Sequence, residues 1–321
     1  MRGKRELLIL IVIIAGLAAY LWTHNADRIN YELPRIETLT TGKITMIEIK
    51  APDETITLRR KDDAWTVGSR PYLANEQLVN TMLNAISGLQ VSALASGSEN
   101  YARYSLDEAS AIRVTAWEGE NPVRSFSVGK SASTQSNTFI TLGDRPQIYL
   151  SEQNLRMTFD KSADMFRDKT VLSFSMDAVQ SISIVKGSAS LDLKKETQDE
   201  DSPKQPSWTD AKGHEIDAGN VQDLLRPLHA LKCQNFIEDK DNEDVANPGL
   251  KITIHTEDTH TLKLFQEANH DEDAPLPGSS SDAWYPFRIS PFNAEDIDSA
   301  VNTLLGIESP DPEGAAEPTE G

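Results

Sequence analysis

Residues 75–89 read NEQLVNTMLNAISGL and residues 217–231 read DAGNVQDLLRPLHAL. In the first stretch Val79, Met82, Leu83, Ile86 and Leu89 recur at i, i+3, i+4, i+7 and i+10, the spacing that lines one face of a helix. In the second, Val221, Leu224, Leu225, Leu228 and Leu231 repeat that spacing, each 142 positions later. Asn75 and Asp217 stand where an N-cap is needed, because their side-chain oxygens can accept from the free N–H groups of a first turn. Pro227 lies inside the second helix and is expected to kink or shorten it.

The segments flanking the two helices match as well. Upstream, Ile44, Ile47 and Ile49 of ITMIEI align with Val179, Ile182 and Ile184 of VQSISI at an offset of 135, and Trp65 aligns with Trp208 at 143. Downstream, Ile112, Val114 and Ala116 align with Leu250, Ile252 and Ile254 at 138. The drift in offset falls where a loop absorbs insertions, such as the polar stretch Thr197 to Gln205. Within each copy the apolar residues alternate: Ile56 and Leu58 between Thr55, Thr57 and Arg59, then Ile112 to Ala116, Phe126 to Val128, Phe139 to Leu142 and Ile148 to Leu150. A period of two marks strands with one buried face. The expected fold class is therefore α+β: two repeated β-rich modules, residues 43–160 and 176–306, each a helix packed on an antiparallel sheet. Residues 161–175 form the junction and residues 307–321 an acidic, proline-rich tail with nothing to bury.

Ahead of the modules, residues 7–22 read LLILIVIIAGLAAYLW without a charge, after Arg2, Lys4 and Arg5. Extended to residues 7–23 this reads as a single transmembrane helix, with residues 1–6 cytoplasmic by the positive-inside rule and residues 24–42 a linker. A cleaved signal peptide and a buried core helix are the competing readings; Tyr20 and Trp22 stand where a signal peptidase needs small residues. The anchor reading makes the bilayer a partner through residues 7–23 and puts the bulk of the chain on the extracytoplasmic side. Fifty acidic against 31 basic residues leave a formal charge of −19, which repels nucleic acid. The lone Cys233 has no internal partner for a disulfide.

Several of these residues carry a family resemblance. The basic start and apolar run, the strand pair turning at Asp62-Asp63-Ala64-Trp65, the helix followed by Tyr104-Ser105-Leu106-Asp107, and the junction Phe166-Arg167-Asp168-Lys169 do so together. The chain resembles a membrane-anchored bacterial family of unknown function, encoded near ABC-type transport and gliding-motility auxiliary components. Ser105 departs from the glycine usual there. The resemblance implies an envelope location and an accessory role near an exporter, and it brings no catalytic residues.

No GxGxxG, Walker A, GxSxG or HExxH motif occurs. His255, His260 and His270 with Asp271, Glu272 and Asp273 are the weak candidates for a metal, because imidazole and carboxylate together ligate zinc; solvated loop histidines are the alternative. Glu238 to Asp244 is dense in oxygen ligands for calcium but lacks the glycine an EF-hand loop needs at its sixth position. Trp65, Trp117, Trp208 and Trp284 suggest a sugar-stacking surface or core plugs. Trp117, out of phase with Ile112 and Val114, is a candidate interaction residue on the outer face. Arg167 and Asp168 are candidates for a partner contact or for a salt bridge at the junction.

The leading reading is a non-catalytic, single-pass scaffold or accessory subunit of an envelope complex, of the ABC-exporter kind, with protein partners and no cofactor. The alternatives are a ligand-binding module with a cleft between the repeats and a metal-assisted hydrolase using His255 to Asp273.

Overall fold

The computed structural model describes residues 11–20, 31–133, 135–143, 145–196, 207–242, 247–265 and 274–307. Residues 11–20 are helical (α1). The chain divides into two compact units, Met1–Phe166 and Arg167–Gly321, each described on its own.

In the first unit the strands are β1 (Met46–Lys50), β2 (Thr55–Lys61), β3 (Ala64–Val67), β4 (Tyr72–Leu73), β5 (Val91–Ser96), β6 (Ile112–Glu118), β7 (Asn121–Ser131), β8 (Thr138–Leu142) and β9 (Ile148–Ser151). They form one antiparallel sheet in the order β4-β3-β2-β1-β6-β7-β8-β9-β5. Alternation decides which side is dry: Ile47 and Ile49 face Leu58 and Ile56 across one ladder and Ala116 and Val114 across the other, and all six are buried. Over that side lies α2 (Glu76–Ser87), capped by the Asn75 Oδ1, which accepts from the Leu78 N–H at 3.0 Å. Its Val79, Met82 and Ile86 are at most 1 % exposed, burial that contributes about 1.5–3 kcal/mol per side chain. Two short helices follow, α3 (Leu155–Phe159) and α4 (Ala163–Phe166).

The second unit has β10 (Thr170–Ser173), β11 (Ser181–Lys186), β12 (Ala189–Lys195), β13 (Trp208–Asp210), β14 (Glu215–Ile216), α5 (Ala218–Leu228), β15 (Ala230–Lys232), β16 (Asn235–Phe236), β17 (Leu250–His255), β18 (Thr259–Leu264), β19 (Leu276–Ser280), β20 (Phe287–Ile289) and α6 (Pro291–Leu305). Its main sheet runs β14-β13-β12-β11-β17-β18-β19-β20-β16, the walk of the first sheet with β16 in the place of β5. Register agrees in detail, since Trp65 pairs with Arg60 and Trp208 with Lys195. Likewise the Leu39 N–H donates to Ser87 O and the Phe174 N–H to His229 O, tying the segments ahead of β1 and β11 to the end of a helix. Asp217 caps α5 through its bond from the Gly219 N–H (2.7 Å), and Pro227 sits in the last turn of α5.

Two expectations are corrected. The chain is mostly antiparallel β, two nine-stranded sheets with few helices, rather than α+β. The additional strands are two or three residues long (β4, β14, β16, β20) or carry Pro277 and Gly278 (β19), so they hold too few alternations for a period of two to register. The expected transmembrane helix is not found: among the described residues no helix is long and apolar enough to cross a membrane. The remaining residues of the expected span, 7–10 and 21–23, lie outside the described residues, as do residues 308–321 of the acidic tail.

Candidate functional site

The histidine region folds as the β17–β18 hairpin, turned by residues 256–258. His255 pairs with Thr259 and His260 with Ile254, so the two imidazoles stand on opposite faces. His255 Nδ1 lies 3.1 Å from Thr259 Oγ1. His260, only 14 % exposed in its side chain, has Nδ1 3.0 Å from Asp282 Oδ2 and Nε2 3.4 Å from Thr256 Oγ1. This puts a hydroxyl, an imidazole and a carboxylate in series, the ordering used by activated nucleophiles. The hydroxyl is engaged elsewhere: Thr256 Oγ1 donates to Asp258 O at 3.2 Å and accepts from the Asp258 N–H at 3.2 Å, a local turn. Asp282 in turn accepts from the Ser173 N–H (3.0 Å) and the Ser281 hydroxyl (2.7 Å). The constellation is a tie that fastens β10 to the β17–β18 hairpin. His270, Asp271, Glu272 and Asp273 lie outside the described residues, among which no group of three or more potential metal ligands occurs.

The first unit shows the same tie built differently. Arg124 pairs with Ala116 on the buried face of the first sheet, the register position that His260 and Ile254 occupy in the second. Its guanidinium donates to the carbonyls of Ile86 and Ser87, the last turn of α2, and to Glu37 O ahead of β1. Burial lowers the Arg124 pKa from its ordinary value.

The interaction candidates are engaged in local structure. Trp117 is the penultimate residue of β6, beside a bulge, half-buried and opposite Met46. Its carbonyl accepts from the Thr45 N–H at 2.9 Å, and its indole N–H is buried without an acceptor among the described residues. Arg167 bonds Glu238 at 2.7 Å with its own side chain 10 % exposed, and Asp168 Oδ1 accepts from the Thr170 N–H at 2.9 Å. Both contacts lie within the second unit. Of the acidic stretch 238–244, Glu238 serves that ion pair and Asn242 donates to Ala283 O and Trp284 O; Glu243 and Asp244 lie outside the described residues.

One surface escaped sequence reasoning. On the outer side of the first sheet, where β9 delivers β5 to the edge, a groove of about 620 Å³ is lined by Ala93, Leu150, Phe139, Tyr104, Arg103 and Lys130, among others. The single-turn helix Tyr101–Tyr104 roofs this end: its Tyr104 ring meets Phe139 at 4.7 Å between centroids, tilted by 60°. Leu106 then packs against Gly129 of β7. The signal for this site was the Tyr104-Ser105-Leu106-Asp107 stretch, where Ser105 adopts φ +55° to return the chain onto the sheet.

A family model described as a domain of unknown function (DUF4340) matches residues 65–252, more than half of the chain. No curated protein and no solved structure matches it.

Proposed function

This chain belongs to the DUF4340 family, and on that premise we propose that it is a non-catalytic scaffold or accessory subunit of a complex at the bacterial inner membrane, of the ABC-exporter kind. The observation that carries the reading is α1. Ile11, Val12, Ile13, Ile14 and Leu17 are each 52–63 % exposed, so the apolar side chains of this helix are largely uncovered among the described residues. Contiguous apolar surface of that kind is stable in water only against an apolar partner. Arg2, Lys4 and Arg5, ahead of it in the sequence, would add attraction to anionic lipid headgroups. Each unit then offers a nine-stranded sheet on which another subunit can seat. The reading is tested by fractionating cells that express the full chain and by affinity purification after detergent extraction. We expect the wild-type protein in the membrane fraction with stoichiometric partners and the Val12→Asp/Leu17→Asp variant released from it. Wild-type protein in the soluble fraction, or purifying without a stoichiometric partner, overturns the proposal.

A further inference from the structure

We propose that the groove beside β5 is a binding site for an anionic amphiphile: a single carboxylate or phosphate group on an aliphatic chain. The charge is the first argument. The chain as a whole carries −19, yet Arg103 and Lys130 both line this groove, both are exposed, and neither has an ion-pair or hydrogen-bond partner among the described residues. Cations left unpaired on a strongly acidic protein are a local reversal of its field and select an anion at that spot. The contrast with the second unit is direct. There a groove of about 410 Å³ between α5 and α6 also holds an arginine, Arg226, but Asp223 lies 3.2 Å from it and Asp296 lines the same wall.

The walls decide what the anion is attached to. Ala93, Ala95 and Leu150 give an aliphatic lining, and the volume falls within the roughly 300–1,000 Å³ of small-molecule sites. Tyr104 and Phe139 contribute rings, but they contact each other at 60° and leave no parallel slot in which a planar base would stack. Tyr104 directs its hydroxyl to Ala95 O at 3.4 Å, so the ring presents carbon to the groove and its polar end to the strand. An alkyl chain fits these surfaces. Its head group meets Arg103 and Lys130, with the Ser133 hydroxyl on the same lining.

This site is independent of the membrane role proposed above and has its own test. Decanoate, decyl phosphate, decanol and acetate are titrated calorimetrically, below their micelle concentrations, into the purified full chain carrying Val12→Asp/Leu17→Asp, so that no detergent competes for the groove. Decanoate and decyl phosphate are expected to saturate at one site per chain, with decanol and acetate at least tenfold weaker; the ratio of the two anions tells a carboxylate site from a phosphate site. Arg103→Gln/Lys130→Gln should lower decanoate affinity at least tenfold, while Arg226→Gln in the other groove leaves it unchanged. Retained circular dichroism and melting temperature in the double variant show that a loss is not unfolding. Absence of saturable binding by either anion, equal binding of decanol, or full affinity in the double variant overturns the proposal.

Discussion

Replacing Gly129 by alanine tests how the roof of the groove is held to the first sheet. Gly129 is buried on β7, and a Cβ built there collides with the backbone carbonyl oxygen of Tyr104 and lies 2.8 Å from Leu106 Cγ. Leucine can turn away, but the carbonyl belongs to a turn whose exit residue, Ser105, already occupies the left-handed region at φ +55° and has little room to yield. Overpacking of this kind costs about 1–3 kcal/mol, and with backbone as the obstacle the upper half of that range applies. For a chain of this size that corresponds to a fall of about 4–12 °C in the melting temperature of the first unit. The assay is thermal unfolding of Gly129→Ala beside Gly42→Ala, where an added Cβ meets nothing within 4 Å, together with hydrogen exchange across residues 101–106. Adding Leu106→Ala to Gly129→Ala removes the side-chain contact and leaves the carbonyl collision, so it should not restore stability. A Gly129→Ala protein that melts with the wild type and protects residues 101–106 equally would refute the reasoning.

Two further perturbations follow, one in each unit. Arg124→Met removes the donor shared by three carbonyls and is expected to cost about 2–4 kcal/mol by urea denaturation, with Arg124→Lys recovering less than half, because one ammonium cannot reproduce the planar fork; wild-type stability in Arg124→Met would show that water replaces the guanidinium without loss. The Asp210 pKa is lowered, first by the His214 backbone N–H at 2.8 Å, then by the His214 side chain and the Lys212 N–H. A depressed folded-state value means that the contribution is complete above the ordinary carboxylate range, near pH 4, and disappears as pH falls through the folded value. The stability gap between wild type and Asp210→Asn should therefore be present at neutral pH and close in acid; a gap that widens in acid reverses the assigned sign.

Legibility in the sequence followed the length of each element. Ile47 and Ile49, Ile56 and Leu58, or Leu250, Ile252 and Ile254 supply two or three alternations and are buried as read, and the apolar faces of α2 and α5 were visible over three turns. Strands of two residues, such as β14 and β16, carry no period; what makes them strands is the neighbour that a finished sheet offers. The groove is hidden for a related reason. Its lining comes from β5, the 101–104 turn, β7, β8 and β9, and only the return of β5 to the edge beside β9 brings Ala93 next to Leu150.

The two ties on the buried faces show why residue chemistry alone was a poor guide to the histidines. A histidine close to an aspartate and a hydroxyl suggests a reaction when taken alone. Its counterpart by register is Arg124, which no reaction scheme would pair with Thr256 and Asp282. The mechanical role is nonetheless shared, since each side chain holds the segment ahead of β1 or β11 against the sheet, through Glu37 O in one unit and through Asp282 to the Ser173 N–H in the other. Both positions face a polar backbone that enters a dry layer, and a buried backbone group without a partner costs about 1–3 kcal/mol. An arginine reaches the carbonyls directly. A histidine is too short and carries fewer donors, so in the second unit an aspartate completes the span, and the hydroxyl–imidazole–carboxylate series follows from that completion.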